Sequence, residues 1–199
     1  MQLVWYVVAL GTFFALSNLK ERRANVSYQL SSKDGEIYRV NDSDDDTDAA
    51  ADVLATVRQN LRRLVAGLEV GDAGELTREQ QQRVGETLRR RFERIRFSEN
   101  PFRSPSSSST SFTVNKGDEV VLCLRDVASR DIHDLNTIMY VAIHELAHVA
   151  CPEVGHTALF LRTFTYLLRE AVRLGVYRDE DYIKKPARYC GIVISERVI

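Results

Sequence analysis

The chain has 199 residues, of which 44% are apolar and 28% are charged. A chain of this size and composition can bury a hydrophobic core, which excludes a wholly disordered protein. The 27 basic and 28 acidic residues give a net charge of −1, so the chain as a whole lacks the basic field of a protein that coats nucleic acid.

Residues 1–19 contain no charged side chain. An uncharged, largely apolar stretch of this length can cross a bilayer as a helix, and it predicts an N-terminal transmembrane anchor over residues 1–19. A cleaved signal peptide and a buried core helix are the alternatives. The basic residues that follow, Lys20, Arg22 and Arg23, favour a single-pass membrane protein whose main domain lies in the cytosol.

Residues 20–47 are polar and end in a cluster of aspartates. We interpret them as a solvated linker that precedes a single domain over residues 48–199, and the last acids favour the start of a helix. Apolar residues at three- and four-residue steps predict that helix over residues 48–68, and a second over residues 77–95 with Thr77 as its N-cap. The second helix is rich in arginine, which suits either a solvated surface helix or a face for an acidic partner or nucleic acid.

Strand signals follow a serine-rich loop over residues 98–111. Residues 111–114 and 119–124 flank a four-residue turn that contains glycine, which predicts a β-hairpin. Two further helices are predicted, one from Asp134 to Ala150 and one from Thr157 to about Gly175, each with its first residue as N-cap. Residues 191–194 are predicted to form a late strand. The elements together predict an α+β fold.

The sequence His144-Glu145-Leu146-Ala147-His148 carries the chemistry. Histidines four residues apart on a helix lie nearly one above the other, so both imidazoles can bind one ion. Zinc suits imidazole ligands, and a carboxylate directly after the first ligand can take the proton of an activated water. The pentapeptide therefore predicts a zinc site with Glu145 as the general base. Two histidines that are merely buried in a core are the alternative.

A third ligand is expected from the segment that follows. His156 comes twelve residues after His144, beyond a proline that ends the helix and a glycine that lets the chain turn back. We favour His156 over two alternatives, Glu170 on the next helix and the thiolate of Cys151. Cys151 is more readily interpreted as a packing residue or as a disulfide partner of Cys190.

Two other groups are relevant to the site. Tyr182 and Tyr189 follow the last long helix and are candidates for stabilising an oxyanion, although either could equally be a core residue. His133 lies outside the cluster of histidines, and a surface or capping role is expected for it.

These residues resemble the WLM and SprT-like zinc metallopeptidases, a group that includes the Spartan-type proteases of DNA–protein crosslinks. The resemblance covers about Val120 to Gly191 and includes a strand before the site, the run YVAIHELAHVA, and a Gly-His pair followed by Phe160. It implies a zincin-like α+β fold with a small antiparallel sheet and an active-site helix. It also implies zinc bound by His144, His148 and His156, with the motif glutamate as the base.

The chain departs from the WLM pattern in one respect, since the third histidine usually follows the first after ten residues and here follows after twelve. The longer loop and the Tyr189-Cys190-Gly191 segment also resemble short proteins of large DNA viruses and algae. The sequence therefore predicts a membrane-anchored zinc endopeptidase acting on proteins or peptides. The alternatives are a non-catalytic zinc module and a nucleic-acid-associated protease.

Overall fold

The computed structural model describes residues 26–42, 46–71, 75–101 and 110–199. Four α-helices and seven β-strands lie in these ranges. The helices are α1 (Thr47–Ala66), α2 (Arg78–Arg91), α3 (Leu135–Ala150) and α4 (Ala158–Arg173), and a short 3-10 turn (Phe92–Arg94) follows α2. The strands are β1 (Val26–Leu30), β2 (Ile37–Asn41), β3 (Arg96–Glu99), β4 (Phe112–Val114), β5 (Glu119–Leu122), β6 (Ala187–Tyr189) and β7 (Ile192–Ile194).

Five of the strands form one sheet in the order β1-β2-β3-β5-β4. The predicted hairpin is confirmed as the antiparallel pair of β4 and β5, but β3 runs parallel to both β2 and β5. The sheet is therefore mixed, and the expectation of an antiparallel sheet is corrected. Parallel neighbours need long crossovers, and α1 and α2 with their connections carry the chain from β2 to β3.

Helix α3 lies against the sheet and the other helices, and it contacts β4, β5, α1, α2 and α4. Its predicted start is confirmed, because the Asp134 side chain accepts hydrogen bonds from the backbone N–H groups of Asn136 and Thr137. From residue 137 to residue 150 every side chain is buried except those of Val141, His144 and His148. These three lie at i, i+3 and i+7, so the helix presents one narrow stripe away from the core.

The polar linker predicted over residues 20–47 is wrong for its described part. Residues 26–41 contain the antiparallel hairpin of β1 and β2, and β2 joins the main sheet beside β3. Val40 and Tyr38 are buried there, so the domain begins before residue 48. The alternation of buried and exposed residues in β2 is short, and the side chains between the buried ones are polar, such as Arg39, which pairs with Tyr28 of β1. The sequence therefore gives only a weak strand signal here.

The localisation predicted from the N-terminal residues is also corrected. In the ranges that the structure describes, no helix combines the length and the apolar character needed to cross a bilayer. The predicted anchor over residues 1–19 lies outside the described residues. The predicted localisation as a single-pass membrane protein with a cytosolic domain has no support in these ranges.

A buried charge pair joins the ends of three strands. Arg125, three residues beyond the end of β5, donates from Nε to Glu99 Oε1 at 3.0 Å, and the other carboxylate oxygen of Glu99 accepts from the backbone N–H of Asn41 at 2.8 Å. Arg125 and Glu99 are 3% and 2% exposed. A buried charge is tolerated only when it is paired and hydrogen-bonded, so this arrangement fixes the relative positions of β2, β3 and the end of β5.

Helix α2 is the surface helix that the sequence predicted, with Thr77 and Gln80 forming a reciprocal capping box. Its arginines are not all free for a partner. Arg89 donates to the carbonyl oxygen of Leu68, and Arg91 donates to that of Lys116. Part of the positive charge on this helix therefore serves internal contacts and does not form an open basic face.

The disulfide joins Cys123 to Cys190, which lie 67 residues apart in sequence, and Cys151 is buried and free. The considered bond between Cys151 and Cys190 is therefore wrong. The observed bond attaches the hairpin of β6 and β7 to the chain just after β5. Because this hairpin forms a two-stranded sheet of its own, the bond is a major link between the hairpin and the rest of the domain.

Reduction of this disulfide is expected to lower the free energy of unfolding by about 2 to 4 kcal/mol, because the open loop regains conformational entropy in the unfolded state. Chemical denaturation with and without reductant measures the loss. Cys190→Ser is the control, since it should be destabilised already and should not respond to reductant. Three reactive thiols in the untreated, denatured wild type would contradict the assignment.

Candidate metal centre

Three imidazoles from two parts of the chain converge at one point. His144 and His148 come from the exposed stripe of α3, and His156 comes from the loop between α3 and α4. The Nε2 atom of His156 lies 3.0 Å from that of His144 and 3.2 Å from that of His148. The ligand atoms of all three side chains lie within 4.8 Å of one another.

This spacing suits a zinc ion. Four ligands at about 2.0 to 2.1 Å in a tetrahedron are separated from one another by about 3.3 Å, close to the two Nε2 separations from His156. The imidazoles are also in the right protonation state, because burial and the neighbouring histidines lower the pKa of His144 to about 3. Burial, His156 and Lys116 lower the pKa of His148 to about 4. Both rings are neutral at pH 7, as metal ligands must be.

The ring of Phe160, in α4, packs against all three imidazole rings. Its ring is stacked on His148 with centroids 4.1 Å apart, and it meets the rings of His144 and His156 edge to face at 4.9 Å. Phe160 is fully buried. Helix α4 begins close to the site, with Thr157 as its N-cap as predicted, which places Phe160 one turn after His156.

Glu145 lies beside the imidazoles and is almost fully buried, with 5% of its surface exposed. Burial raises the pKa of its carboxyl group to about 7, and a hydrogen bond from Thr113 acts in the opposite direction. Thr113 Oγ1 donates to Glu145 Oε2 at 2.8 Å and lies 3.2 Å from the carbonyl oxygen of the same residue. The edge strand β4 therefore holds the carboxylate in one orientation.

The site opens into a cleft of about 740 Å³. One wall is β4, the edge strand of the main sheet, and the opposite wall is β7 with the residues that follow it. The rim carries exposed apolar side chains from three separate elements: Phe112, Val154, Ile192 and Val193. Such a cleft has room for an extended segment of polypeptide beside the imidazoles.

The other candidate ligands lie elsewhere. The carboxylate of Glu170 accepts hydrogen bonds from Arg173 and from the backbone N–H of Glu69, at the far end of α4. Cys151 is buried and free at the end of α3. Neither belongs to the group of converging ligand atoms in the described part of the chain. Of the alternatives weighed from the sequence, the geometry favours His156.

The two tyrosines considered for the oxyanion have different positions. Tyr189 lines the cleft, where its hydroxyl shares a hydrogen bond of 2.8 Å with Ser111, whereas Tyr182 packs edge to face against Tyr140 and does not line the cleft. Burial raises the pKa of Tyr189, so its hydroxyl stays protonated and can donate. His133 is half-buried and its Nε2 accepts from the backbone N–H of Cys190 at 3.2 Å, so it has a structural role near the disulfide.

Sequence reasoning missed two residues of this site, Thr113 and Lys116. Both belong to the hairpin of β4 and β5, in a segment that was correctly predicted as a strand and a turn. Nothing in the local sequence distinguishes them from ordinary strand and turn residues. Their contacts are with residues more than 30 positions away, so pattern and spacing carry no signal for them.

Two uncharacterized viral proteins are similar to part of this chain. An uncharacterized protein of Acanthamoeba polyphaga mimivirus is 46% identical over 114 residues, which are 57% of this chain and 56% of the viral protein. An uncharacterized protein of Invertebrate iridescent virus 6 is 41% identical over 83 residues, 40% of this chain and 44% of that protein. The matched part thus spans about half the length of these curated relatives.

A solved structure and a family model complete the comparison. The crystal structure of Wss1 from Saccharomyces cerevisiae aligns with a TM-score of 0.45 at 16% identity, covering 69% of this chain and 88% of that chain. The model described as WLM domain matches residues 33–191. This range includes strands β2 to β6 and the three imidazoles, and it extends the resemblance seen in the sequence from residue 120 back to residue 33. The chain belongs to the WLM domain family.

Proposed function

We propose that this protein is a zinc-dependent endopeptidase that hydrolyses peptide bonds in protein or peptide substrates. The observation that carries the proposal is the pairing of a buried carboxylate, Glu145, with three converging neutral imidazoles at the floor of a cleft. A structural zinc site uses four protein ligands and needs no base. Three ligands with a carboxylate beside them are typical of a hydrolytic site.

His144, His148 and His156 would hold the zinc, and the fourth position would be left to water and substrate. Bound there, zinc supplies a Lewis acid that polarises the scissile carbonyl and makes a water acidic enough to attack. Strand β4 lies at the edge of the described sheet beside the site, and an extended substrate can pair with such an edge. This pairing would orient the scissile bond across the imidazoles.

Glu145 carries out the proton transfers in this mechanism. Its carboxylate takes a proton from the attacking water and returns it to the leaving amine, so the residue acts first as a base and then as an acid. The hydrogen bond from Thr113 occupies one carboxylate oxygen and leaves the other for this role. Tyr189, at the end of β6, can donate toward the developing oxyanion once its bond with Ser111 is exchanged.

The first alternative, a non-catalytic zinc module, is less well supported. A non-catalytic zinc module would not require a buried carboxylate beside the metal ligands, since burying an acid without a function costs stability. The second alternative, a nucleic-acid-associated protease, was suggested by the arginines of α2. Some of these arginines donate to backbone carbonyls inside the protein, so they are not all available to bind nucleic acid. Because the family resemblance includes proteases of DNA–protein crosslinks, every cleavage assay includes an arm with added DNA.

We expect about one zinc per chain. His144→Ala and His148→Ala should each abolish stoichiometric zinc, and His156→Ala should weaken binding severely, because each removes one of three ligands. Elemental analysis after dialysis measures the content. His133→Ala and Glu170→Ala are the controls and should keep the metal, and loss of zinc from Glu170→Ala alone would mean that the third ligand is misassigned.

Glu145→Gln is expected to keep the fold and the zinc but to lower cleavage of an unfolded protein such as casein by a factor of about 10² to 10⁴. The amide has nearly the shape of the carboxylate but cannot accept the proton of water. Initial rates with matched zinc loading are the measurement. A loss of less than about tenfold would exclude Glu145 as the base, and inactivity of both proteins on all substrates, with zinc bound, would favour the non-catalytic module.

Thr113→Val should lower kcat/KM by about 10- to 100-fold, because a hydrogen bond to a charged group is removed from the base while the shape and strand preference are kept. Thr113→Ser retains the hydroxyl and should restore most of the activity. Zinc content and thermal unfolding are measured in parallel for both variants. Equal losses in the valine and serine variants would show that the hydroxyl does not position Glu145.

A further inference from the structure

Lys116 makes an unusual set of contacts close to the candidate metal centre. Its Nζ atom donates to three consecutive backbone carbonyl oxygens, those of Cys151 at 3.0 Å, Pro152 at 2.7 Å and Glu153 at 2.8 Å. An ammonium group has three N–H donors, so all of its hydrogen-bonding capacity is used in this one place. The side chain is half-buried and lines the cleft.

The three carbonyls belong to the segment that carries the third imidazole. Residues 152–156 are exposed and lie between the end of α3 and the start of α4. Among the described residues, none of these five makes a backbone-to-backbone hydrogen bond. The chain then turns at Gly155, whose φ of +83° favours glycine, directly before His156. The position of His156 therefore depends on side-chain contacts made by its loop.

The backbone of Lys116 is itself fixed. It lies in the β4–β5 turn, and its carbonyl oxygen accepts from Arg91 at 3.1 Å. The neighbouring Gly117 approaches α3 so closely that a Cβ atom there would lie 3.0 Å from a methyl group of Val149. The turn is thus packed on the C-terminal end of α3, and Lys116 reaches from this rigid base to the loop.

We propose that Lys116 is a positioning residue that holds the loop of residues 151–155 so that His156 meets His144 and His148. This inference deepens the proposed function, because it concerns the metal site on which that function rests. Lys116 is not one of the three residues whose ligand atoms converge. It acts through the loop, and its ammonium group also neutralises the carbonyl dipoles at the end of α3.

The sign of the effect separates positioning from simple electrostatics. A positive charge near the site opposes the binding of a cation, and the Lys116 ammonium group lines the same cleft as the three imidazoles. If charge were its only influence, Lys116→Met would make zinc bind more tightly. If Lys116 positions His156, the same change makes zinc bind more weakly.

The test measures zinc affinity of the full chain by competition with a chelator, and needs no substrate. Lys116→Met should weaken zinc binding about 10- to 100-fold, the usual effect of losing a residue that orients a metal ligand. Lys184→Met removes an equal charge from an exposed lysine that pairs with Asp181, and is the matched control expected to change nothing. Unchanged or tighter zinc binding in Lys116→Met would overturn the proposal.

A double-mutant cycle identifies the ligand through which Lys116 acts. In the His156→Ala background, Lys116→Met should change zinc affinity by less than about twofold, because the ligand it positions is already absent. An undiminished loss in that background would overturn the proposal. Normal affinity in His156→Ala alone would instead contradict the ligand set of the proposed function, so the two failures are distinguishable.

Two further measurements distinguish a displaced metal ligand from general misfolding of Lys116→Met. The cobalt-substituted wild type should show the intense visible bands of a tetrahedral site, and Lys116→Met should shift them while its far-UV circular dichroism stays unchanged. Lys116→Gln keeps two N–H donors without the charge and is expected to bind zinc with an affinity between those of Lys116→Met and the wild type. Affinity in Lys116→Gln equal to that in the wild type would show that the ammonium group is not needed.

Discussion

The burial of α3 on nearly every side is the constraint on which the candidate site depends. The helix contacts two strands and the three other helices, so it cannot rotate about its axis without exposing apolar surface or clashing with its neighbours. Its remaining half-exposed stripe holds Val141, His144 and His148. Core packing therefore sets the side of the helix from which the two imidazoles project, and Phe160 then orients the rings.

Burial also determines the protonation states at the site. The same apolar surroundings that keep the imidazoles neutral raise the pKa of Glu145 toward 7, because a low-polarity environment disfavours any charged form. Neutral histidines bind a metal well, and a carboxyl group with a raised pKa is a stronger base and a better proton carrier near neutral pH. One physical effect thus prepares both the ligands and the base.

The hairpin of β4 and β5 supplies residues that position the base and the third imidazole. Thr113 on the edge strand orients the carboxylate, and Lys116 in the turn holds the loop of the third imidazole. Arg91 from α2 secures the turn from outside. The opposite wall is held differently, since the β6–β7 hairpin is tied to the sheet by the Cys123–Cys190 disulfide and by the Tyr189–Ser111 hydrogen bond.

The features that could be predicted from the sequence by itself are those that depend on residues close to one another in the chain. The placement of two histidines four residues apart on one face of a helix, the helix caps at Asp134 and Thr157, and the glycine turn before His156 depend on contacts within a few residues, and each was correctly predicted. Only the tertiary structure decided the partners that are distant in sequence. The sequence predicts a linker in place of the β1–β2 hairpin, because the few apolar residues of the hairpin are buried only by packing beside α1 and β3. Strand β3 was not predicted, because it contains the polar residues Ser98 and Glu99, which are buried through long-range hydrogen bonds. The Cys123–Cys190 disulfide and the contacts of Thr113 and Lys116 at the site join residues that are tens of positions apart. Contacts of this kind produce no periodic pattern in the sequence, so they could not be predicted from it.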